Sequence, residues 1–271
     1  MTTGSDMAFS GSIPEIYDRL LVPLIFESYA RDLSQRVVEL NPRDVLEIAA
    51  GTGVVTRAIA SCLPDATRLT ATDLNQPMLD YARAKQPRGK HVEWRQADAL
   101  ALPFEDNSFD VAVCQFGAMF FPDKVRAYRE ARRVLRPGGH LIFSVWDRIA
   151  ENEFADTITE ALACRFPSEP PRFLARVPHG HHDITEIGAN LSCAGFVDIS
   201  AQTVGKKSSA SSSREPAVAY CQGTPLRAEI EGRDPPGLEA ATNHAANALA
   251  QKFGPGPIEG RIQAIVATAV R

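Results

Sequence analysis

The sequence predicts an α/β protein with a Rossmann-like, mostly parallel sheet and helices on both faces, and three observations carry this reading. An apolar strand, Asp44 to Ile48, turns through Gly51 and Gly53 straight into a helix-spaced run of Val55, Ala58, Ile59, Cys62 and Leu63, which Pro64 stops. A second strand, Arg68 to Asp73, ends in an acid 20 residues beyond Gly53. Strand and helix patterns then alternate as far as Trp146.

The turn after the first strand is built for a nucleotide. Gly51 and Gly53 let the backbone approach a ligand with no Cβ in the way, and free N–H groups at the helix start favour an electronegative or anionic group. A dinucleotide fingerprint would need a third glycine where Thr56 stands, and no Gly-Lys-Ser/Thr follows as in a phosphate-binding loop. The stretch does carry an acid, Glu47, just ahead of the turn.

Glu47, Gly51 and Gly53, with Ala49 at the first glycine position, resemble motif I of the class I S-adenosylmethionine-dependent methyltransferases, acid-x-Gly-x-Gly-x-Gly. The resemblance implies a seven-stranded sheet with helical lid insertions, S-adenosyl-L-methionine as cofactor and S-adenosyl-L-homocysteine as product. It sets Glu47, Ala49, Gly51, Thr52 and Gly53 against the cofactor. The extra methyl of Ala49 implies a slightly displaced loop rather than lost binding.

Composition bounds the alternatives. The 271 residues, 44% of them hydrophobic, suffice for one α/β core with insertions. A net charge of -4 argues against a broad electrostatic footprint for nucleic acid. Five cysteines, Cys62, Cys114, Cys164, Cys193 and Cys221, have neither paired spacing nor an even count, so no disulfide framework or zinc site is expected. Residues Met1 to Ser10 lack a basic start and an apolar core, and no run reaches the length of a membrane span, so the expected location is cytoplasmic.

Residues 1–42 read as a helical segment covering the cofactor. Ser12-Ile13-Pro14-Glu15 is a capping-box pattern, Pro23 is expected to break or kink the helix it opens, and Phe26, Ala30, Leu33 and Val37 mark a second amphipathic helix. Tyr17-Asp18 lies in the first. In the resembling family a Tyr-Asp pair here folds over the methionine end of the cofactor; a Tyr packed between helices is the alternative.

Residues 43–146 form the expected cofactor-binding core. Asp73, at the end of the second strand, suits the two ribose hydroxyls, with Leu74 and Met78 offering apolar surface to the adenine. Asp98-Ala99, after a third strand His91 to Gln96, matches the acid and small residue with which the resembling family meets the adenine; a helix N-cap is the other reading. Leu102 to Val111, L-P-F-x-D-x-S-F-D-V, closely resembles the methyltransferases related to those of ubiquinone biosynthesis, with Phe104 and Phe109 stapling the loop to the core. The fourth strand, Val111 to Phe116, would bring Gln115 and Phe116 beside the sulfonium. The helix from Asp123 turns Val125, Tyr128, Ala131 and Leu135 inward, and its arginines read as a solvated face. Arg136-Pro137-Gly138-Gly139 is a turn before the fifth strand, His140 to Trp146.

Residues 147–271 hold the remaining strands, Phe196 to Ile199 and Ile262 to Val270, and two insertions, 147–182 and 205–257, expected as substrate lids of the same single domain. Asp183 should cap a helix that Gly195 closes, and Ser208 to Ser213 reads as a mobile loop or strand edge. Pro178 to Asp183 carries His179, His181 and His182, whose adjacency does not suit a metal. As a pocket-lining loop, it offers His179 or His182 as catalytic base and His181, Met119 and Trp146 as substrate contacts. The expected reaction is in-line methyl transfer to an O, N or C nucleophile of a small molecule, in a monomer or homodimer, with no nucleic acid and no membrane insertion. The rivals are a nicotinamide-dependent oxidoreductase, disfavoured by Thr56 and Asp98, and a non-catalytic S-adenosylmethionine-binding module.

Overall fold

A computed structural model describes residues 13–87 and 91–271; Ser12 of the expected capping box lies outside them. The chain opens with α1 (Ile13–Ile16), a π-helical segment (Tyr17–Phe26) and α2 (Glu27–Glu39), which run on without a break. Pro23 therefore does not end the helix as expected. It sits inside the wider π turns, where the i→i−4 geometry that proline obstructs is already given up.

The core follows as β1 (Asp44–Ile48), α3 (Val54–Cys62), β2 (Arg68–Asp73), α4 (Gln76–Ala84), β3 (Val92–Gln96), β4 (Phe109–Gln115), α5 (Lys124–Val134) and β5 (Leu135–Trp146). The first insertion carries α6 (Glu153–Arg165) and α7 (Phe173–Arg176). After it come α8 (Ile184–Cys193), β6 (Val197–Ala210), α9 (Arg214–Gln222), α10 (Leu226–Arg233), α11 (Leu238–Phe253) and β7 (Ile258–Val270). The seven strands form one sheet in the order β3-β2-β1-β4-β5-β7-β6. Pairings of β1 to β5 are parallel, while β7 runs antiparallel to both β5 and β6.

Both faces of the sheet are buried, which is why β1 is inaccessible along its whole length, Asp44 and Glu47 included. Alternate residues feed two cores: Val45, Val111 and Val113 meet Leu33, Val37 and Ile59 of α2 and α3, while Leu46, Ala112 and Phe143 face Tyr128 and Ala131 of α5. Phe104 and Phe109 pack edge to face, 5.1 Å between centroids, and staple the 102–109 loop down as expected. The arginines here serve local structure: Arg133 of α5 pairs with Glu130 and Asp106, and Arg136, at the start of β5, with Asp110 and Asp44.

In the C-terminal part the start of the second insertion needs correction. Asp183 does cap α8, accepting from the N–H of Thr185 at 2.8 Å, and Gly195 closes it at φ 92°. Of the two readings of Ser208 to Ser213, strand edge holds as far as Ala210, where β6, the edge strand of the sheet, ends; the second insertion therefore starts later than residue 205. The reason is a tertiary contact: the inward Ser208 is fully buried, and its hydroxyl donates to the Leu24 carbonyl at 2.7 Å. Arg136 to Gly139 bulge out of β5 rather than preceding it. Among the described residues no helix is long and apolar enough to cross a membrane.

Candidate functional site

The strand order reverses at β1 and β4, and the crevice beyond their carboxyl ends is where an open α/β sheet binds ligands. A cavity lies there, enclosing about 1100 Å³ with its mouth. The β1–α3 turn forms its floor. Ala49 and Gly51 both adopt left-handed backbone, φ 58° and 56°, and the turn ends at Gly53, φ 79°. Gly53 is not on the wall: a Cβ there would meet the Trp94 ring at 3.0 Å and Ala82 at 3.1 Å, so this glycine serves the packing of α3 on α4 and β3.

Glu47 is buried beneath the floor, 1% exposed, and its Oε2 accepts from the Thr56 hydroxyl at 2.5 Å. Burial pushes its carboxyl up to about 8, against the smaller downward pulls of Thr56 and Arg57. The residue standing where a dinucleotide-binding loop would have glycine is thus the partner of the motif acid. Asp73 ties the floor to β2. One oxygen accepts from the Gly51 N–H and the other from the Asn75 N–H, both at 2.8 Å, and desolvation outweighs these bonds to raise its carboxyl.

The walls gather most of the expected residues: Tyr17, Leu74, Met78, Asp98, Ala99, Gln115 and Phe116 all line the cavity. Leu74 is 45% exposed at the rim, unusual for a leucine that closes a strand. Asp98 accepts from the Leu100 N–H at 2.9 Å through one oxygen, so it caps its turn and faces the cavity at once. Phe26, Asn75, Leu100, Phe120 and Phe121 also line it and were not expected there. For Phe120 and Phe121 the signal was present, an apolar pair just past the end of β4; for Phe26 it was hidden by the π turns, which rotate a residue read as core-facing into the site.

Phe116 has φ 52°, a left-handed conformation that is costly for an aromatic residue and concentrates at functional sites. Its ring stacks on Trp146 with centroids 3.8 Å apart and planes 7° from parallel. Beyond this pair opens a second cavity of about 540 Å³, which shares Tyr17, Phe26, Phe116 and Phe120 with the first. Met119, Trp146, Phe173 and His179 also line it.

The three histidines part company. His179 is buried, and its Nδ1 lies 2.7 Å from the Asp147 carbonyl. A carbonyl only accepts, so Nδ1 carries the proton and Nε2 the lone pair. Burial pulls this imidazole down to about 4, below the near-neutral value expected, so at neutral pH it is unprotonated and its Nε2 can only accept. His181 instead packs 3.5 Å from the Tyr128 hydroxyl and 3.6 Å from Glu186, and His182 is exposed with Nδ1 on the His179 carbonyl at 2.8 Å. Neither lines a cavity described here, so of the loop only His179 and Pro178 reach the second one.

Two buried oxygens on the first cavity's wall, the Thr52 hydroxyl and Gln115 Oε1, have no hydrogen-bond partner among the described residues. Such atoms cost about 1–3 kcal/mol each unless a ligand answers them. Residues 46–143 match the family model described as methyltransferase domain. Over those residues the chain is similar to a methyltransferase domain, and the seven-stranded, mostly parallel sheet that contains them has the Rossmann-like class I methyltransferase fold. The methyltransferase domain resembles the ubiquinone/menaquinone biosynthesis C-methyltransferase UbiE of Hahella chejuensis, 42% identical over 101 residues, 36% of this chain and 41% of that one. It also resembles the demethylmenaquinone methyltransferase of Thermus thermophilus, 38% identical over 122 residues, 42% of this chain and 55% of that one. The chain thus spans about half the length of these curated relatives. The YcgJ protein of Bacillus subtilis shares the fold, with a TM-score of 0.58 at 22% identity over 90% of this chain and 98% of that one.

The residues present fit the cofactor of this domain. Asp73 would hold the ribose, Asp98 and Ala99 the adenine with Leu74 and Met78 against its faces, and the turn at Ala49 to Thr52 the methionine end, whose ammonium and carboxylate suit the oxygens of Glu47, Thr52 and Gln115 and the N–H groups at the start of α3.

Proposed function

We propose that the protein transfers a methyl group from S-adenosylmethionine to an uncharged, flat small molecule held in the second cavity. What supports this reading is the lining of that cavity. Phe, Tyr and Trp rings and the His179 imidazole make up much of its wall, and no Asp, Glu, Lys or Arg stands among its described lining residues. Its one titratable imidazole is held neutral by burial. A charged acceptor would enter such a space at a cost of several kcal/mol with nothing to pair it.

When bound, the cofactor supplies a methyl group already activated by its sulfonium. The chain's own residues then have to align and dry the site. Phe116 and Trp146, stacked at the junction of the cavities, set the plane on which a ring can lie. His179 Nε2, its tautomer fixed by the Asp147 carbonyl, accepts a hydroxyl proton from the acceptor and can take it as the bond to the methyl forms. In-line attack by an oxygen or by a ring carbon activated by that oxygen falls within this scheme. Two relatives bear the names ubiquinone/menaquinone biosynthesis C-methyltransferase and demethylmenaquinone methyltransferase, which supports an uncharged acceptor of this kind.

Incubating the protein with S-adenosylmethionine and a panel of phenols, quinols, amines and carboxylic acids, and following S-adenosylhomocysteine release, tests the proposal. Turnover should be confined to uncharged hydroxylated rings. Turnover only with a charged amine or carboxylate would remove the second cavity from the reaction.

A further inference from the structure

Tyr17 and Phe26 stand nine residues apart and yet roof the same two cavities, their rings stacked at 5.0 Å. Nine residues make two and a half turns of an α-helix and would put the two on opposite faces. The i→i+5 bonding of this segment widens each turn, so that nine residues come near two turns and one face. The π geometry is therefore what makes the segment a roof.

The roof is anchored at both ends, differently. Towards its C-terminal end Ser208 donates to the Leu24 carbonyl at 2.7 Å and the Tyr29 hydroxyl donates to the Val204 carbonyl at 2.9 Å, fastening it to β6. Pro23, which brings no N–H to the helix, stands just before this anchor. At the other end Asp18, 8% exposed, holds two cations: Lys85 Nζ at the end of α4, 2.5 Å from Oδ2, and Arg57 Nη2 on α3, 3.4 Å from Oδ1. Arg57 also donates through Nη1 to the Thr52 carbonyl at 2.6 Å. One carboxylate thus joins the roof to the cofactor loop and to both helices that flank it.

We propose that Asp18 is a positioning residue that latches the π-helical roof over the first cavity, and that its release from Lys85 and Arg57 sets the rate at which cofactor leaves. The proposal rests on reading the first cavity as the S-adenosylmethionine site. Because Tyr17 and Phe26 belong to both cavities, the acceptor cavity is complete only with the latch closed, which makes cofactor binding the first step and acceptor binding the second. Exposed ion pairs contribute little, but a carboxylate this buried loses much when its partners go.

The test is stopped-flow dissociation of S-adenosylhomocysteine, read by tryptophan fluorescence, in the wild type, Asp18→Asn, Asp18→Glu, Lys85→Ala and the Asp18→Asn/Lys85→Ala double variant. Asp18→Asn should speed dissociation about ten-fold, as expected for loss of a buried charge-assisted contact. Lys85→Ala, on a partly exposed side chain, should act in the same direction without disturbing folding. The double variant should be no faster than Asp18→Asn, Asp18→Glu should recover most of the wild-type rate, and added salt should speed the wild type but not Asp18→Asn. A merely structural Asp18 would lower the unfolding midpoint without this salt dependence. Wild-type dissociation rates in both single variants, or effects that multiply in the double variant, would overturn the latch. A wild type that does not bind S-adenosylhomocysteine would overturn the reading of the first cavity, and the latch with it.

Discussion

Ala49 and Gly117 are fitted to each other: a Cβ built on Gly117 would stand 2.5 Å from the Cβ of Ala49. The extra methyl at the first glycine position of the cofactor turn is accommodated because the facing residue after β4 has none. Ala49 holds a left-handed φ of 58°, which for an L-residue costs roughly 1–2 kcal/mol. Gly117→Ala should therefore destabilise the protein by about 1–3 kcal/mol and weaken cofactor binding, since the new methyl also comes within 2.8 Å of Cys114 Sγ. In an Ala49→Gly background the loss should shrink. Chemical denaturation of the four proteins gives the coupling; equal losses in both backgrounds would deny it.

Gly51→Val should abolish cofactor binding in a protein that still folds. A branched side chain is strained at φ 56°, and it would fill the floor of the first cavity. Calorimetric titration with S-adenosylhomocysteine checks this, and normal affinity would move the cofactor elsewhere.

Asp73→Ala should weaken S-adenosylmethionine binding on the order of 1.5–3 kcal/mol. The side chain is buried and braces Gly51 and Asn75, so some loss of folding stability should accompany it. Comparing affinity with the unfolding midpoint separates the two effects. Unchanged affinity in the folded variant would remove Asp73 from the site.

The glycine turn, the acids at the ends of β1, β2 and β3, and the strand alternation were legible because each is a local pattern with one chemical use. The π-helical segment was not, because a hydrophobic period of 3.6 hides a register change that tertiary packing imposes. The extent of β6 was left open for a similar reason: Ser208 reads equally as mobile loop or strand edge until the Leu24 carbonyl, 184 residues away in sequence, is seen to receive its hydroxyl. The histidine loop looked like one functional unit, and only the fold separates His179 from its neighbours.

Glu47 gives the ligand-free protein a pH dependence of known sign. Its carboxyl titrates near 4.5 in an unfolded chain and is raised to about 8 when folded, so its stabilising contribution is whole below about 4.5 and is lost as pH rises towards 8. Denaturation at about pH 5 and about pH 8 should show a decline on the order of a few kcal/mol that Glu47→Gln flattens. The cationic cofactor favours the carboxylate, so its affinity should rise over the same window. A wild type and Glu47→Gln with parallel pH profiles would contradict this.

His179→Ala should leave cofactor affinity nearly intact while lowering transfer to a hydroxylated acceptor by about 10²-fold or more, the scale of general-base assistance. Since burial holds the imidazole near 4, the wild-type rate should be flat at neutral pH and fall only as pH approaches 4. His182→Ala, on an exposed side chain, should be close to wild type. Full activity of His179→Ala on a true substrate would leave it a wall residue.

Parallel calorimetric titrations of the protein with S-adenosylhomocysteine and with NADH test most directly that the first cavity takes S-adenosylmethionine rather than a nicotinamide dinucleotide. Binding of S-adenosylhomocysteine at one site per chain, weakened by Asp73→Ala, with no heat from NADH, is the predicted result. Binding of NADH in its place, or S-adenosylhomocysteine binding indifferent to both Asp73→Ala and Gly51→Val, would contradict it.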